Sequence, residues 1–160
     1  MNKIKSNLVF FAIVLFSLSP LISQGASFWE VQGHTAFTSK QIGSKYATFQ
    51  IDWDPSSKCR PTVGTIIMTK KALGTYKKSQ KSSEDMEVRI GNLNWNGPTI
   101  LAGYQNGVEA MFYAPADLIS AIKSHDSGNV EVQLFKSQGF GSFSLEGASK
   151  AIDAAKKACQ

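Results

Sequence analysis

Five lysines fall within twelve residues of this chain: Lys70, Lys71, Lys77, Lys78 and Lys81, with Tyr76 among them. Cations at that density can meet lipid headgroups, lipopolysaccharide, sulfated glycan or an acidic protein patch. Glu84 and Asp85 follow and offset part of the charge. A second cluster, Asn92, Asn94, Trp95 and Asn96, joins amide side chains to an indole. Such a set can hold a sugar by stacking and hydrogen bonding, although asparagine is also an ordinary turn residue.

Candidates for bond-breaking chemistry are thinner. Asp52 and Asp54 share one strand face, and two carboxylates do acid–base work only where their surroundings separate their pKa values. Ser120 and Lys123 form S-x-x-K without the S-D-N and K-T-G motifs that accompany it in serine–lysine enzymes. His125-Asp126-Ser127 names three triad residue types, but adjacent residues cannot adopt triad geometry. His34 and His125 are too few for a histidine-rich metal site, and no nucleotide-binding glycine motif occurs. No cofactor is expected.

The elements that must carry these residues read mainly as strands. Residues 46–54, YATFQIDWD, alternate Ala47, Phe49, Ile51 and Trp53 against Thr48, Gln50 and Asp52. That is a half-buried strand. The prolines of 54–61 mark a turn, and 62–69 form a second strand, so the two make a hairpin with Cys59 at its turn. Residues 70–85 lack strand periodicity and read as a long loop or a short frayed helix. Residues 86–91 alternate again, and 92–98 read as a turn-rich segment.

Asn106-Gly107, between TILAGYQ and VEAMFY, predicts a hairpin over 99–113 closed by a type I′ turn. In 114–125 Pro115 suits the first turn of a short helix. Residues 129–136 and 141–145 are further strands. From about Gly147 the chain forms a last helix, whose stripe Ala148, Ala151, Ile152, Ala155 and Cys159 lies along one face. The expectation is a single α+β domain, an antiparallel sheet or sandwich of about seven strands, with a short helix and a C-terminal helix packed on it.

Residues 1–25 have the pattern of a secretory signal peptide: Lys3 and Lys5, an apolar run from Leu8 to Leu18, then Pro20 and small residues. The apolar run is shorter than the roughly 20 residues of a membrane-spanning helix. Ser23 and Gly25 favour cleavage after Gly25. Residues 26–160 then form the domain, with 15 basic against 12 acidic residues. That balance is too mild to argue nucleic-acid binding.

Cys59 and Cys159 are the two cysteines, and both lie in the exported part. An oxidising compartment favours a bond between them, a free pair or a bond to a partner chain being the alternatives. A loop of about 100 residues closed in this way is worth about 4.7 kcal/mol in the chain-entropy model.

The tail carries Phe143, Leu145, Gly147, Ala151, Ile152 and Cys159 as F-x-L-x-G-x-x-x-A-I followed by cysteine. This ending resembles that of the invasion-associated locus B family of small exported proteobacterial proteins. The order of elements is similar back to about residue 86. The chain departs from that family in having no cysteine between Trp29 and Cys59. The resemblance implies a periplasmic or secreted β-rich domain linked to host or envelope interaction, and it supplies no catalytic residues.

The expected function is therefore that of an exported, non-enzymatic binding protein with a protein, envelope or glycan partner. Inhibition of a secreted enzyme is one form this could take. A small periplasmic hydrolase and an envelope structural or chaperone-like protein are the alternatives. The candidate contacts are Lys70, Lys71, Tyr76, Lys77, Lys78, Lys81, Asn94 and Trp95.

Overall fold

The computed structural model describes residues 28–70, 74–133 and 141–160. The expected signal peptide and Lys71 lie outside these residues. The elements run β1 (Trp29–Gln32), β2 (Thr35–Ile42), β3 (Lys45–Asp54), β4 (Arg60–Met68), β5 (Tyr76–Ile90), β6 (Leu93–Tyr104), β7 (Gly107–Tyr113), α1 (Ala116–Ser124), β8 (Asn129–Gln133), β9 (Gly141–Ser144) and α2 (Ala148–Cys159). Among the described residues nine strands form one antiparallel sheet in the order β1-β2-β3-β4-β7-β6-β5-β8-β9. The α+β expectation holds, with more strands than the seven foreseen.

Side-chain alternation sets the inner face. Along β3, Ala47, Phe49, Ile51 and Trp53 are buried, and they meet Met86, Val88 and Ile90 of β5 in one core. The sheet curls until β9 comes back to β1 and β2. There the Trp29 indole donates to the Ser144 carbonyl at 2.9 Å, and the Lys40 ammonium donates to the Ser142 carbonyl. The Phe49 and Phe143 rings stack with centroids 5.8 Å apart. α2 lies over β1, β2 and β3 and against α1. Its stripe Ala148, Ala151, Ile152 and Ala155 is buried as its spacing requires. The alanines let the helix approach the sheet closely.

Three turns share one device. Gly33, Gly43 and Gly91 open the two-residue loops β1–β2, β2–β3 and β5–β6, each with φ between 57° and 59°. A left-handed residue at the first loop position, followed by a right-handed one, is the II′ pattern, whose twist matches that of the strands. Gly97 is glycine for another reason. A Cβ there would lie 2.1 Å from the Phe112 ring that covers it.

Four sequence expectations change. Residues 76–85 are strand, not loop or helix, because β6 pairs with them, residues 76–81 against Ile100–Tyr104 and Asp85 against Pro98, across a register shift between Lys81 and Asp85. Residues 93–98 are also strand, and only Gly91-Asn92 turns. The 99–113 hairpin is present, but its loop is Gln105-Asn106 with Gly107 already in β7, and none of the three takes a positive φ. Asn106 is held from outside instead. Its carbonyl accepts from the Thr69 amide at 2.9 Å, and its side chain accepts from the Gly74 amide. Finally, Pro115 is the N-cap of α1 rather than its first helical residue.

Cys59 and Cys159 are disulfide-bonded with Cα atoms 5.9 Å apart, so the intramolecular alternative is the one realised. The bond ties the end of α2 to the residue before β4. Lys58 and Cys59 reach it through consecutive left-handed conformations, φ 58° and 55°. Neither is glycine, so this short stretch is strained.

Candidate functional site

Lys70, Lys77 and Lys78 are brought to one end of the sheet. Tyr46 pairs with Met68, Met68 with Gly107, and Tyr104 with both Gly107 and Tyr76. The start of β3, the end of β4, the β6–β7 turn and the start of β5 therefore share that end. Lys70, Lys77 and Lys78 are exposed there, and Lys81, paired with Ile100, is exposed farther along β5. Lys45, at the head of β3, joins them. It escaped attention in the sequence because it stands 25 positions before Lys70. Residues 42–46, 66–70, 74–81 and 100–108 contain no Asp or Glu, but the buried Glu109 pairs with Ile66 and Ala102 among them.

Lys78 pairs with Gly103 and Lys81 with Ile100, which face opposite sides of the ribbon. The ribbon is thus cationic on both faces. Tyr76, 52% exposed, stands edge-on to Tyr104 with centroids 5.7 Å apart. Glu84 and Asp85 fall away from this end, across the register shift between Lys81 and Asp85.

The asparagine–tryptophan cluster does not assemble. Asn94 and Trp95 are successive strand residues, and successive side chains point to opposite faces. Trp95 is half-buried against the core, and its indole donates to the Asp117 carboxylate at 3.0 Å on the first turn of α1. Asn94 is exposed.

The hydrolytic pairs are engaged elsewhere. The Ser120 hydroxyl donates to the Ala116 carbonyl at 2.9 Å, while the Lys123 ammonium donates to Asp153 at 2.6 Å. Asp54 caps the short 3₁₀ turn Pro55–Ser57. The Ser56 hydroxyl and amide hold its carboxyl below the usual carboxylate range. Asp52 accepts from the Thr35 hydroxyl at 2.5 Å and lies 2.9 Å from Nδ1 of His34. His125 Nδ1 lies 2.8 Å from the Ala121 carbonyl, at the end of α1.

Sequence reasoning missed a carboxylate on the outer face, the face away from the core. Glu109 is 6% exposed. It accepts from the Gln50 amide at 2.6 Å and the Tyr104 hydroxyl at 3.0 Å. Burial pushes its carboxyl up, and the charge of Asp52 adds to this against the two hydrogen bonds. Burial, then the Glu109 charge, pushes the Tyr104 phenol up to about 12. The alternation of VEAMFY put Glu109 opposite Ala110 and Phe112. Its burial follows from the β3–β4–β7–β6 order, which no local pattern encodes.

Among the described residues no group of three or more His, Cys, Asp or Glu could hold a metal ion. No helix among them is long and apolar enough to cross a membrane.

No protein-family model matches the sequence, and no curated protein is similar to it. The crystal structure of invasion associated protein B from Bartonella henselae is similar over 81% of this chain and 95% of that one. The TM-score is 0.30 and the identity 11%, a weak likeness of fold from which no residue role is carried over.

Proposed function

We propose that this chain is an exported, non-enzymatic binding protein of the bacterial envelope or host interface. Its contact surface is the lysine-bearing end of the sheet, and its partner presents an acidic protein patch. The observation that carries the reading is the gathering of Lys45, Lys70, Lys77 and Lys78 at one end of the sheet, with Lys81 farther along β5, where the neighbouring carboxylate, Glu109, is buried and hydrogen-bonded to Gln50 and Tyr104. A one-signed surface steers an oppositely charged partner and gives salt-dependent association. Export is supported by the signal-like residues 1–25 and by a disulfide of the kind that persists in oxidising compartments.

A poly-glutamate peptide is the simplest probe of an acidic patch. Fluorescence anisotropy should show binding that weakens steeply with salt. Lys77→Glu with Lys78→Glu should weaken it further and flatten the salt dependence. Unchanged affinity and salt slope in that variant would show the lysines to be a solvated surface only. Preference for heparin or anionic vesicles over the peptide would move the partner to glycan or lipid. N-terminal sequencing of exported protein should begin at Ala26.

One observation favours the hydrolase alternative. The carboxyl of Glu109 is held up by burial, with Asp52 close enough to add to that shift. A carboxyl held up by burial is the kind that general acids use. Turnover of a peptidoglycan or glycan substrate, abolished by Glu109→Gln or Asp52→Asn, would replace the binding reading.

A further inference from the structure

β5 has two neighbours in the sheet. β6 pairs with it from Tyr76 to Ile90, whereas β8 pairs with Glu87, Val88 and Arg89 alone. Val132 of β8 pairs with Val88 on one side and with Gly141 of β9 on the other, so β8 and β9 both stop at the level of Glu87 and Val88. Residues 76–81 thus have β6 on one side and, among the described residues, no strand on the other. All of them are exposed.

The direction of their backbone groups follows from the pairing. The Gln105 amide donates to the Thr75 carbonyl at 2.9 Å, so Gln105 faces β5. Backbone groups alternate from side to side along a paired strand, so Gly103 and Leu101 face β5 as well. Their partners Lys78 and Gln80 direct N–H and C=O at β6. Ser79 and Lys81 direct theirs outward, along the open edge.

Lysines on an edge keep it from pairing with a second copy, since like charges would meet across the new ladder. The same charges select an acidic strand. Lys78 and Lys81 stand on opposite faces of the ribbon, and Lys77 sits in the register shift between Tyr76 and Lys78. A strand laid beside them alternates its own side chains between those faces. Carboxylates on successive residues would therefore meet a lysine on each face.

We infer that the open edge of β5 takes up an extended acidic segment of the partner as an added strand, in the row that β8 occupies farther along. The segment exchanges backbone hydrogen bonds with Ser79 and Lys81, and its carboxylates flank Lys77, Lys78 and Lys81. In this mode of recognition main-chain pairing supplies affinity and side chains supply the choice of sequence. The inference rests on the acidic-partner reading of the same lysines and adds to it the form the partner takes.

Octaglutamate and the same peptide methylated at every backbone nitrogen carry equal charge, but only the first can donate from its main chain. In fluorescence anisotropy the methylated peptide should bind roughly tenfold more weakly, as loss of a backbone bond requires. Ser79→Pro removes an outward N–H and leaves the bonds to β6 and every lysine in place. It should weaken octaglutamate by a similar factor, with circular dichroism checking the fold. The methylated peptide is read on the native chain and does not depend on that variant folding. Bound octaglutamate should also protect the Ser79 and Lys81 amides from hydrogen exchange. Equal binding of the two peptides with salt dependence retained, or no added protection at those amides, overturns strand addition and leaves the acidic-partner reading standing. No salt-dependent binding of either peptide overturns both. A dimer of the free chain that Ser79→Pro dissolves gives the edge to a second copy and overturns the proposal.

Discussion

The Tyr104 hydroxyl donates to the Glu109 carboxylate across 3.0 Å, on the face of the sheet away from the core. The pair spans the β6–β7 turn, five positions apart in the chain, and the two are diagonal neighbours on the ladder, Tyr104 pairing with Gly107 and Glu109 with Ala102. Gln50 completes the site from β3.

A pH dependence follows from this arrangement. Burial raises the Glu109 carboxyl above its ordinary value of 4.5. Between that value and the raised one the folded chain binds more protons than the unfolded chain, so stability falls as pH rises. Glu109→Gln removes the effect. The stability of this variant relative to the native chain should climb as pH increases from 4.5 and then level off. Urea denaturation at a series of pH values measures it. A difference independent of pH would mean that Glu109 is ionised alike in both states.

Removing the disulfide should be costly. Cys59→Ser, Cys159→Ser and the double variant should each lose about 2–4 kcal/mol by urea denaturation. The three losses should be similar, since either single change breaks the same bond. Non-reducing peptide mapping of exported protein should recover the Cys59 and Cys159 peptides linked.

Gly97→Ala should cost about 1–3 kcal/mol, because the added methyl meets the Phe112 ring at 2.1 Å. Phe112→Leu in the same chain should recover part of that loss. A double-mutant cycle measures the coupling, and strict additivity would place the cost in backbone freedom instead.

Thr38 offers a gain. It is fully buried on the inner face of β2, and its hydroxyl has no hydrogen-bond partner among the described residues. Thr38→Val keeps the shape and removes the unsatisfied group. It should raise stability by about 1 kcal/mol, read from the urea midpoint. A loss of stability would point to a bridging water at that hydroxyl.

The sequence was most legible where one element faces water on one side. β3 alternates cleanly because the core lies on a single face of it. The stripe of α2 led to Cys159 because a helix on a sheet needs a narrow apolar face. β5 was illegible over its first half because residues 76–85 are exposed on both faces. Nothing forces period two there, and β6 imposes the strand. The turn signals lay in plain sight as Gly33-His34, Gly43-Ser44 and Gly91-Asn92. Asn106-Gly107 drew attention away from them, although a clamp from Thr69 and Gly74 sets its geometry. Of the candidate contacts, Lys70, Lys77 and Lys78 converge because strand ends align. Asn94 and Trp95 separate because neighbours on a strand look opposite ways.

The curl of the sheet brings together edges that are far apart along the chain. The Trp29 indole reaches the Ser144 carbonyl across 115 positions, and side chains rather than a β-ladder hold β2 near β9. That seam is a zip with few teeth, locked by α2 lying across it. Low local contact density marks the regions that open before the rest of a domain. Amide hydrogens of β1 and β9 should therefore exchange ahead of those in β3 and β4, and the molecule should begin to come apart where its two sheet edges meet.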